Sequence, residues 1–201
     1  MISLRRSPPW DSVTYWAVDV ETTGLDARRD VLLAVGMVPI RRGVIHLGEA
    51  WGSLVRPAAP VAIPVDAMRA HHIVPAELER APAPADVLPE VVRRLREGAA
   101  IVHHAALDMA FLRAACRAAA VDWPRVPVAD TVHLLWRRAR RRRYVAGEDP
   151  GGPELNLASA RRDCGLPAYP AHDATSDAIA TAELFLVLRH ALGARTLRQV
   201  T

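Results

Sequence analysis

The sequence predicts an α/β fold in which helices flank a mixed sheet. Three apolar runs, at residues 15–18, 31–40 and 44–55, follow one another with only polar turns between them. Consecutive strands joined in this way pair as an antiparallel meander. Farther along, short apolar runs alternate with segments of helical periodicity, which is typical of α/β proteins with parallel strands. We therefore expect three antiparallel strands followed by parallel ones.

Turn residues separate the predicted elements. Polar residues 26–30 and the Arg-Arg-Gly turn at residues 41–43 separate the first three strands. A Pro/Ala-rich loop at residues 57–64 ends the meander, because proline removes backbone donors. Beyond it we expect strands at residues 99–102 and 126–128, and helices at about residues 66–70, 75–78, 86–98, 105–121, 131–144, 155–164 and 175–192.

One domain is expected to span residues 1–201, because neither an internal repeat nor a change in composition divides the chain. Residues 1–12 are predicted to be a flexible extension, and they lack the apolar segment of a secretory signal. No uncharged apolar run approaches the roughly 20 residues that a membrane helix needs. We therefore expect a cytoplasmic protein that makes no contact with membranes.

The bulk composition allows a polyanionic partner without requiring one. Hydrophobic residues make up 51% of the chain and charged residues 24%, which is ordinary for a globular protein. All 26 basic residues counted as Lys or Arg are Arg, and the net charge is +4. The arginine run at residues 137–143 can clamp phosphates or form a solvated helix end. The two cysteines provide neither a disulfide scaffold nor a Cys-based zinc site.

Two acids follow the first apolar run. Asp19 and Glu21 are two residues apart, so in an extended chain they project from the same face. Adjacent carboxylates repel each other unless a cation lies between them, and Mg²⁺ prefers such oxygen ligands. The alternative is a pair of solvated acids in a turn that Gly24 closes.

A third acid, Asp108, lies in the first turn of the helix predicted after residues 99–102. That position is the carboxyl end of a buried strand, where ligands of α/β proteins tend to bind. The helix dipole also favours an anion there, so Asp108 can equally be an ordinary first-turn acid.

A third group contains His172, Asp173 and Asp177. Asp173 is placed to cap a helix, which puts His172 just outside the helix and Asp177 one turn inside it. Asp177 precedes an apolar run and is expected to face inward, where a lone carboxylate is costly. His172 can accept a proton from water near neutral pH. Without further evidence, the same residues are a cap, a surface histidine and a hydrogen-bonded buried acid.

Taken together, the four acids and the histidine match the requirements of two-metal phosphodiester hydrolysis. In such sites one ion activates water and another, about 4 Å away, stabilises the leaving oxygen. Carboxylates suit Mg²⁺ or Mn²⁺ better than zinc, whose sites favour His and Cys.

These motifs resemble those of the DEDDh 3′–5′ exonucleases, which have a ribonuclease H-like fold and include the proofreading subunits of bacterial replicative polymerases. The segment Asp19-Val20-Glu21-Thr22-Thr23-Gly24-Leu25 is similar to the first motif, Asp108 with Phe111-Leu112 to the second, and His172-Asp173-Ala174 with Asp177-Ala178 to the third. The resemblance covers about residues 16–192, and the motifs occur in the family's order.

The resemblance implies a role for each matching residue. The four acids would hold two Mg²⁺ or Mn²⁺ ions and His172 would be the general base. The substrate-binding positions would be Thr22, Leu25, His71 and Leu107. Leu107 stands where the family usually has Phe, which removes a possible base-stacking surface. His104 and His72 stand where Asn and Gly are usual.

The expected activity is removal of mononucleotides from a single-stranded or frayed 3′ end, with DNA favoured. An exoribonuclease of the same family is one alternative, and a polymerase-associated proofreading or binding module is another. A different class, the HD-type metal phosphohydrolases, is suggested by His172-Asp173 and the pairs His71-His72 and His103-His104. Those enzymes are all-helical, whereas this chain begins with predicted strands.

Overall fold

The computed structural model describes residues 7–146 and 151–201. Its centre is a six-stranded mixed sheet with the order β3-β2-β1-β5-β6, in which β4 also pairs with β2. The strands are β1 (Thr14–Thr22), β2 (Leu32–Arg41), β3 (Val44–Ile45), β4 (Trp51–Leu54), β5 (Gly98–Val102) and β6 (Val128–Asp130). Strands β1 to β4 pair antiparallel, and β1, β5 and β6 pair parallel. The predicted mixed sheet is confirmed.

Helices cover both faces of the sheet. They are α1 (Val65–His71), α2 (Pro75–Arg80), α3 (Pro84–Leu95), α4 (Ala105–Ala118), α5 (Thr131–Ala146), α6 (Leu157–Asp163), α7 (Ala174–Leu192) and α8 (Leu197–Val200). Alternate residues of β1 face opposite layers. Trp16 and Val18 pack with α3 and α4, whereas Tyr15 and Ala17 pack with α5, α7 and α8. This two-sided burial explains why the strand is a continuous apolar run.

Three predicted strand boundaries are wrong. The first strand continues beyond the apolar run to Thr22, so Asp19 and Glu21 lie on one face of β1 as predicted, and the alternative of two acids in a turn is wrong. The expected third strand, at residues 44–55, is divided into β3 and β4 by a 3₁₀ turn at Leu47–Glu49. There the Ala50 N–H donates to the Leu47 carbonyl at 3.1 Å, so it does not form a hydrogen bond to a neighbouring strand. Strand β6 starts at Val128, because Pro127 has no N–H to donate.

Part of the predicted N-terminal extension contacts the end of the chain. Residues 1–6 lie outside the described residues, as do residues 147–150 of the predicted loop before α6. Pro9 forms a bridge with Thr196, and the Pro8 carbonyl accepts from the Leu197 N–H at 3.0 Å. In the described part of the chain, the helices are too short or too polar to cross a membrane.

Candidate metal centre and active site

Strand β1 and helix α7 bring three of the predicted acids together. Asp19 and Glu21 project from the face of β1 that α7 covers, and Asp177 lies in the first turn of α7. One carboxylate oxygen from each lies within 4.8 Å of the others. No other group of three or more potential metal ligands is found in residues 7–146 and 151–201. Three convergent carboxylates with this spacing fit a hard divalent cation.

The start of α7 has the geometry expected from the sequence. Asp173 is the N-cap, and its side chain accepts from the Ser176 N–H at 2.8 Å. His172 is exposed and has a positive φ of 67°, and its N–H donates to Asp177 Oδ2 at 2.8 Å. The backbone that carries the histidine is therefore hydrogen-bonded directly to a candidate metal ligand.

Glycines in the sheet allow α7 to approach the acids. Gly36 of β2 is the register partner of Asp19, and a Cβ added to it would lie 2.1 Å from the Ala174 carbonyl carbon and oxygen. Gly52 of β4 pairs with Gly36, and its Cβ would lie 2.3 Å from Thr175 Oγ1. Neither glycine was predicted from the sequence, because its importance depends on strand register.

Asp108 lies beside this cluster but outside the group of three. It is only 2% exposed, and its Oδ2 has no hydrogen-bond partner in the described part of the chain. Burial, followed by the charge of Asp130, raises the pKa of Asp108, while backbone N–H groups, including that of Val20, lower it. Burial also raises the pKa of Asp19, with Asp108 the next largest cause. An unpartnered buried carboxylate oxygen beside other acids fits a position for a cation.

The same crowding affects the other two acids. Burial, then Asp177 and Asp173, raises the pKa of Glu21 to about 7. Burial also raises the pKa of Asp177, although hydrogen bonds from Tyr169 and the His172 backbone oppose the shift. Without a cation the Glu21 carboxyl is therefore partly protonated near neutral pH, and a bound cation would displace that proton.

The four predicted substrate-binding positions lie in different environments. Leu25 is 81% exposed, and the neighbouring Thr22 Oγ1 donates to the Gly24 carbonyl at 2.6 Å. Asp30 holds this loop, since one of its carboxylate oxygens accepts from Thr23 Oγ1 at 3.2 Å and the other from the Asp26 N–H at 2.9 Å. This role of Asp30 was not predicted from the sequence.

The other two predicted substrate-binding residues, His71 and Leu107, are more buried. His71 is 7% exposed, and its Nδ1 accepts from the Ile73 N–H at 3.0 Å. Its Nε2 has no partner among the described residues. Burial lowers the pKa of His71, and the charges of His72 and His172 add to the effect. Leu107 is half-buried and packs against the core between the sheet, α3 and α4.

Comparison with known proteins identifies the family. The model of the Exonuclease family (RNase T) matches residues 16–185. The chain belongs to this family. It is 34% identical over 194 residues to a DNA polymerase III subunit epsilon-like protein of Rhodobacter capsulatus, covering 94% of this chain and 25% of the relative. It is 27% identical to the DNA polymerase III subunit epsilon of Treponema pallidum, covering 90% of this chain and 80% of that protein.

Solved structures agree on the fold. E. coli exonuclease I in complex with a dT13 oligonucleotide superimposes with a TM-score of 0.75 at 18% identity, covering 90% of this chain and 42% of that one. The likeness confirms the expected ribonuclease H-like fold. The chain spans about a quarter of the R. capsulatus protein and 27% of a putative bifunctional exonuclease/endonuclease of Mycobacterium tuberculosis, to which it is 31% identical.

The HD-type alternative is wrong, because this exonuclease-family domain is built on a sheet and not on helices alone. The pair of histidines after β5 also has a structural explanation. His103 is buried, with Nδ1 2.7 Å from Thr131 Oγ1 and Nε2 2.7 Å from the Leu155 carbonyl. His104 starts α4 with a positive φ of 78°, and its Nε2 lies 3.2 Å from the same carbonyl.

Several arginines of α5 contact other parts of the exonuclease domain. Arg137 donates to the Gln199 carbonyl, and Arg141 donates to the Leu192 carbonyl at 2.8 Å. Arg138 Nη1 lies 2.9 Å from Cys164 Sγ. Positive groups at helix C-termini are stabilising, because the last carbonyls lack intrahelical partners. These contacts favour a structural role for this part of the arginine run.

Proposed function

We propose that this domain is a two-metal-dependent 3′–5′ exonuclease acting on single-stranded or frayed nucleic acid, with DNA favoured. It would release nucleoside monophosphates. The observation that carries the proposal is the convergence of Asp19, Glu21 and Asp177 within 4.8 Å, next to the buried and partly unpartnered Asp108. Membership of the Exonuclease family supports the same reaction.

The four acids would hold two Mg²⁺ or Mn²⁺ ions, which would supply charge stabilisation and water activation. The donor set consists only of carboxylates, which suits these ions better than zinc. His172 would be the general base. It is exposed at the start of α7, and its backbone contact with Asp177 keeps it at the edge of the acid cluster. From there its side chain would accept a proton from the attacking water.

The relatives suggest the substrate and a possible partner. The E. coli exonuclease I structure contains a dT13 oligonucleotide, which supports single-stranded DNA as the substrate class. Two relatives are named as a polymerase subunit or a protein similar to one, which supports a possible polymerase association. Thr22, Leu25, His71 and Leu107 would contact the 3′-terminal nucleotides. The cytoplasmic location stays a prediction.

The test is degradation of a 5′-labelled oligonucleotide in Mg²⁺ or Mn²⁺, with EDTA as the blank. The wild type should shorten the strand stepwise from its 3′ end, and Asp177→Ala should lose more than about 99% of the rate, because even the partners of metal ligands are worth 10–100-fold. Asp66→Ala is the matched control, since Asp66 is 94% exposed on α1. Equal rates for the wild type and Asp177→Ala would refute the proposal.

Parallel assays with matched DNA and RNA strands, single- and double-stranded, test substrate preference. Faster degradation of RNA would favour the exoribonuclease alternative. A wild-type protein that degrades neither strand and co-purifies with a polymerase would favour the binding-module alternative.

A further inference from the structure

Asp130, the last residue of β6, binds the starts of two helices with one carboxylate. Its Oδ2 accepts from the Ala105 N–H at 3.0 Å. Its Oδ1 accepts from the Val132 N–H at 2.9 Å and from the His104 N–H at 3.3 Å. The first N–H groups of a helix lack intrahelical partners and favour a negative charge. Asp130 therefore stabilises the N-terminus of α4 and that of α5 together.

The sheet fixes the place of this carboxylate. Asp130 pairs in parallel register with Val102, the last residue of β5. The two strand ends are joined again by Thr131, whose hydroxyl donates to the Val102 carbonyl at 3.1 Å. Helix α4 begins three residues after Val102, at Ala105. The register of β5 and β6 thus places Asp130 beside the bend that leads into α4.

That bend contains a residue in an unfavourable backbone conformation. His104 has a positive φ of 78°, in the left-handed region that residues with a Cβ rarely adopt. Such residues persist where the surrounding structure holds them. The hydrogen bond from the His104 N–H to Asp130 is one such contact, and the approach of His104 Nε2 to the Leu155 carbonyl, at 3.2 Å, is another.

Asp108 lies in the turn of α4 that Asp130 holds. It follows Ala105 by three residues, and its position therefore depends on where the helix starts. Its Oδ2 is buried and has no hydrogen-bond partner among the described residues, which leaves it available to a cation. Both oxygens of Asp130, in contrast, already accept backbone N–H groups. These contacts suit Asp130 to supporting a metal ligand and not to being one.

We propose that Asp130 is a positioning residue that holds the first turn of α4 and thereby places the Asp108 carboxylate beside the three convergent acids of the metal centre. The inference rests on the proposed function, because it assigns Asp108 to a metal site. Residues that support metal ligands typically contribute 10–100-fold to metal affinity or activity. An Asp130 that only capped helices would affect stability and leave metal affinity unchanged.

Asp130→Ser in the full chain separates the two roles. Serine is a good N-cap and can still accept from the Val132 N–H of α5, but its short side chain has lost the oxygens that reach α4. Mn²⁺ affinity is measured by calorimetry below the melting temperature, and kcat and KM are measured with a single-stranded oligonucleotide. Asp130→Ser should weaken Mn²⁺ binding about 10-fold and lower kcat to a similar extent, with KM within about twofold of the wild type.

Asp86→Ser is the matched control. Asp86 is exposed in the first turn of α3, where its carboxylate accepts from the Ala83 N–H at 3.3 Å. This variant should lose stability while its Mn²⁺ affinity and kcat stay at the wild-type values. Wild-type Mn²⁺ affinity in Asp130→Ser would overturn the inference, and so would an equal loss of affinity in Asp86→Ser.

Asp130→Asn is a milder change that tests the hydrogen bonds if the serine variant fails to fold. Asparagine keeps one acceptor oxygen, but its amide group replaces the other and cannot accept an N–H. Mn²⁺ binding should be weakened, and less than in Asp130→Ser. Unchanged binding in Asp130→Asn would contradict the inference. A loss as large as that of the serine variant would assign the effect to the negative charge and would also contradict it.

A double variant tests whether Asp130 acts through Asp108. Asp108→Asn removes the supported ligand and leaves the other three acids to bind Mn²⁺. In this background Asp130→Ser should weaken Mn²⁺ binding no further. Additive losses would show that Asp130 acts on the metal centre by another route and would refute the proposed positioning.

The outcomes also separate this inference from the proposed function. A wild type that binds Mn²⁺ more tightly than Asp130→Ser but degrades no strand would refute the nuclease function and support the positioning role. An active wild type with an unaffected Asp130→Ser would do the reverse. A wild type that binds no Mn²⁺ would refute both.

Discussion

Gly36 and Asp19 are opposite each other across β1 and β2, and the missing side chain of the glycine leaves the space in which the start of α7 packs. A Cβ on Gly36 would overlap backbone atoms of Ala174, which cannot move without moving the helix. The distance from Asp177 to Asp19 therefore depends on an absent methyl group on a neighbouring strand.

Gly36→Ala should displace the start of α7 and lower kcat by roughly 100-fold, the usual cost of a misplacement of about 1 Å in an active site. The measurement is the exonuclease rate together with Mn²⁺ affinity. Gly48→Ala is the control, because a Cβ there meets nothing within 4 Å. A Gly36→Ala protein with wild-type rate and affinity would show that the helix start does not depend on this contact.

Asp19→Asn should abolish activity and stabilise the metal-free fold. Asp19 is surrounded by Asp108, Asp177 and Glu21, so removing its charge relieves repulsion. We expect the melting temperature in EDTA to rise by about 2–4 °C, the shift that roughly 1 kcal/mol produces in a protein of this size. In saturating Mn²⁺ the variant should instead melt at a lower temperature than the wild type, because it has lost a metal ligand.

Thermal unfolding with and without Mn²⁺ measures both effects, and Asp66→Asn on the exposed surface of α1 should show neither. A melting temperature that falls in EDTA would indicate that Asp19 has a structural partner.

The metal-free protein should lose stability as the pH rises from about 4.5 to about 7. The pKa of Glu21 is raised from 4.5 to about 7 in the fold, where Asp19, Asp173 and Asp177 face it. Below about pH 4.5 the Glu21 carboxyl is protonated in both the folded and the unfolded state, and its full contribution to the free energy of unfolding is present. Between the two pKa values only the unfolded chain ionises, so stability decreases until the folded pKa is passed.

Glu21→Gln should lose less stability over this pH range than the wild type. The measurement is the free energy of unfolding of both proteins in EDTA at several pH values. Saturating Mn²⁺ should oppose the decline in the wild type, because ions compete with protons for the same oxygens. Parallel curves for the wild type and Glu21→Gln would assign the pH dependence to other groups.

Leu25→Ser should raise KM for a single-stranded oligonucleotide by roughly 10-fold with little change in kcat. Leu25 is 81% exposed on a loop next to the acids, and covering such a side chain with a base is worth about 1.5–3 kcal/mol. Leu47→Ser is the control, since Leu47 is 60% exposed on the turn between β3 and β4. An equal KM for all three proteins would remove Leu25 from the substrate contacts.

The sequence could predict those parts of the site that depend on local patterns. The same-face arrangement of Asp19 and Glu21 follows from the strand period, and the cap at Asp173 follows from its position before an apolar helix. These features need no knowledge of distant neighbours.

The remaining features depend on contacts between distant parts of the chain. The importance of Gly36 appears only when the register with β1 and the position of α7 are known. The division of the third strand similarly reflects local hydrogen bonds at Leu47–Glu49 that replace the ladder.

The four acids come from β1, α4 and α7, elements that lie at the beginning, middle and end of the chain. During synthesis, the segment carrying Asp177 emerges from the ribosome long after β1 has left it. A chain synthesised only as far as α6 therefore cannot assemble the acid cluster and would be unable to cut nucleic acid. Nuclease activity would begin only when the last long helix docks, which ties the start of catalysis to the completion of folding.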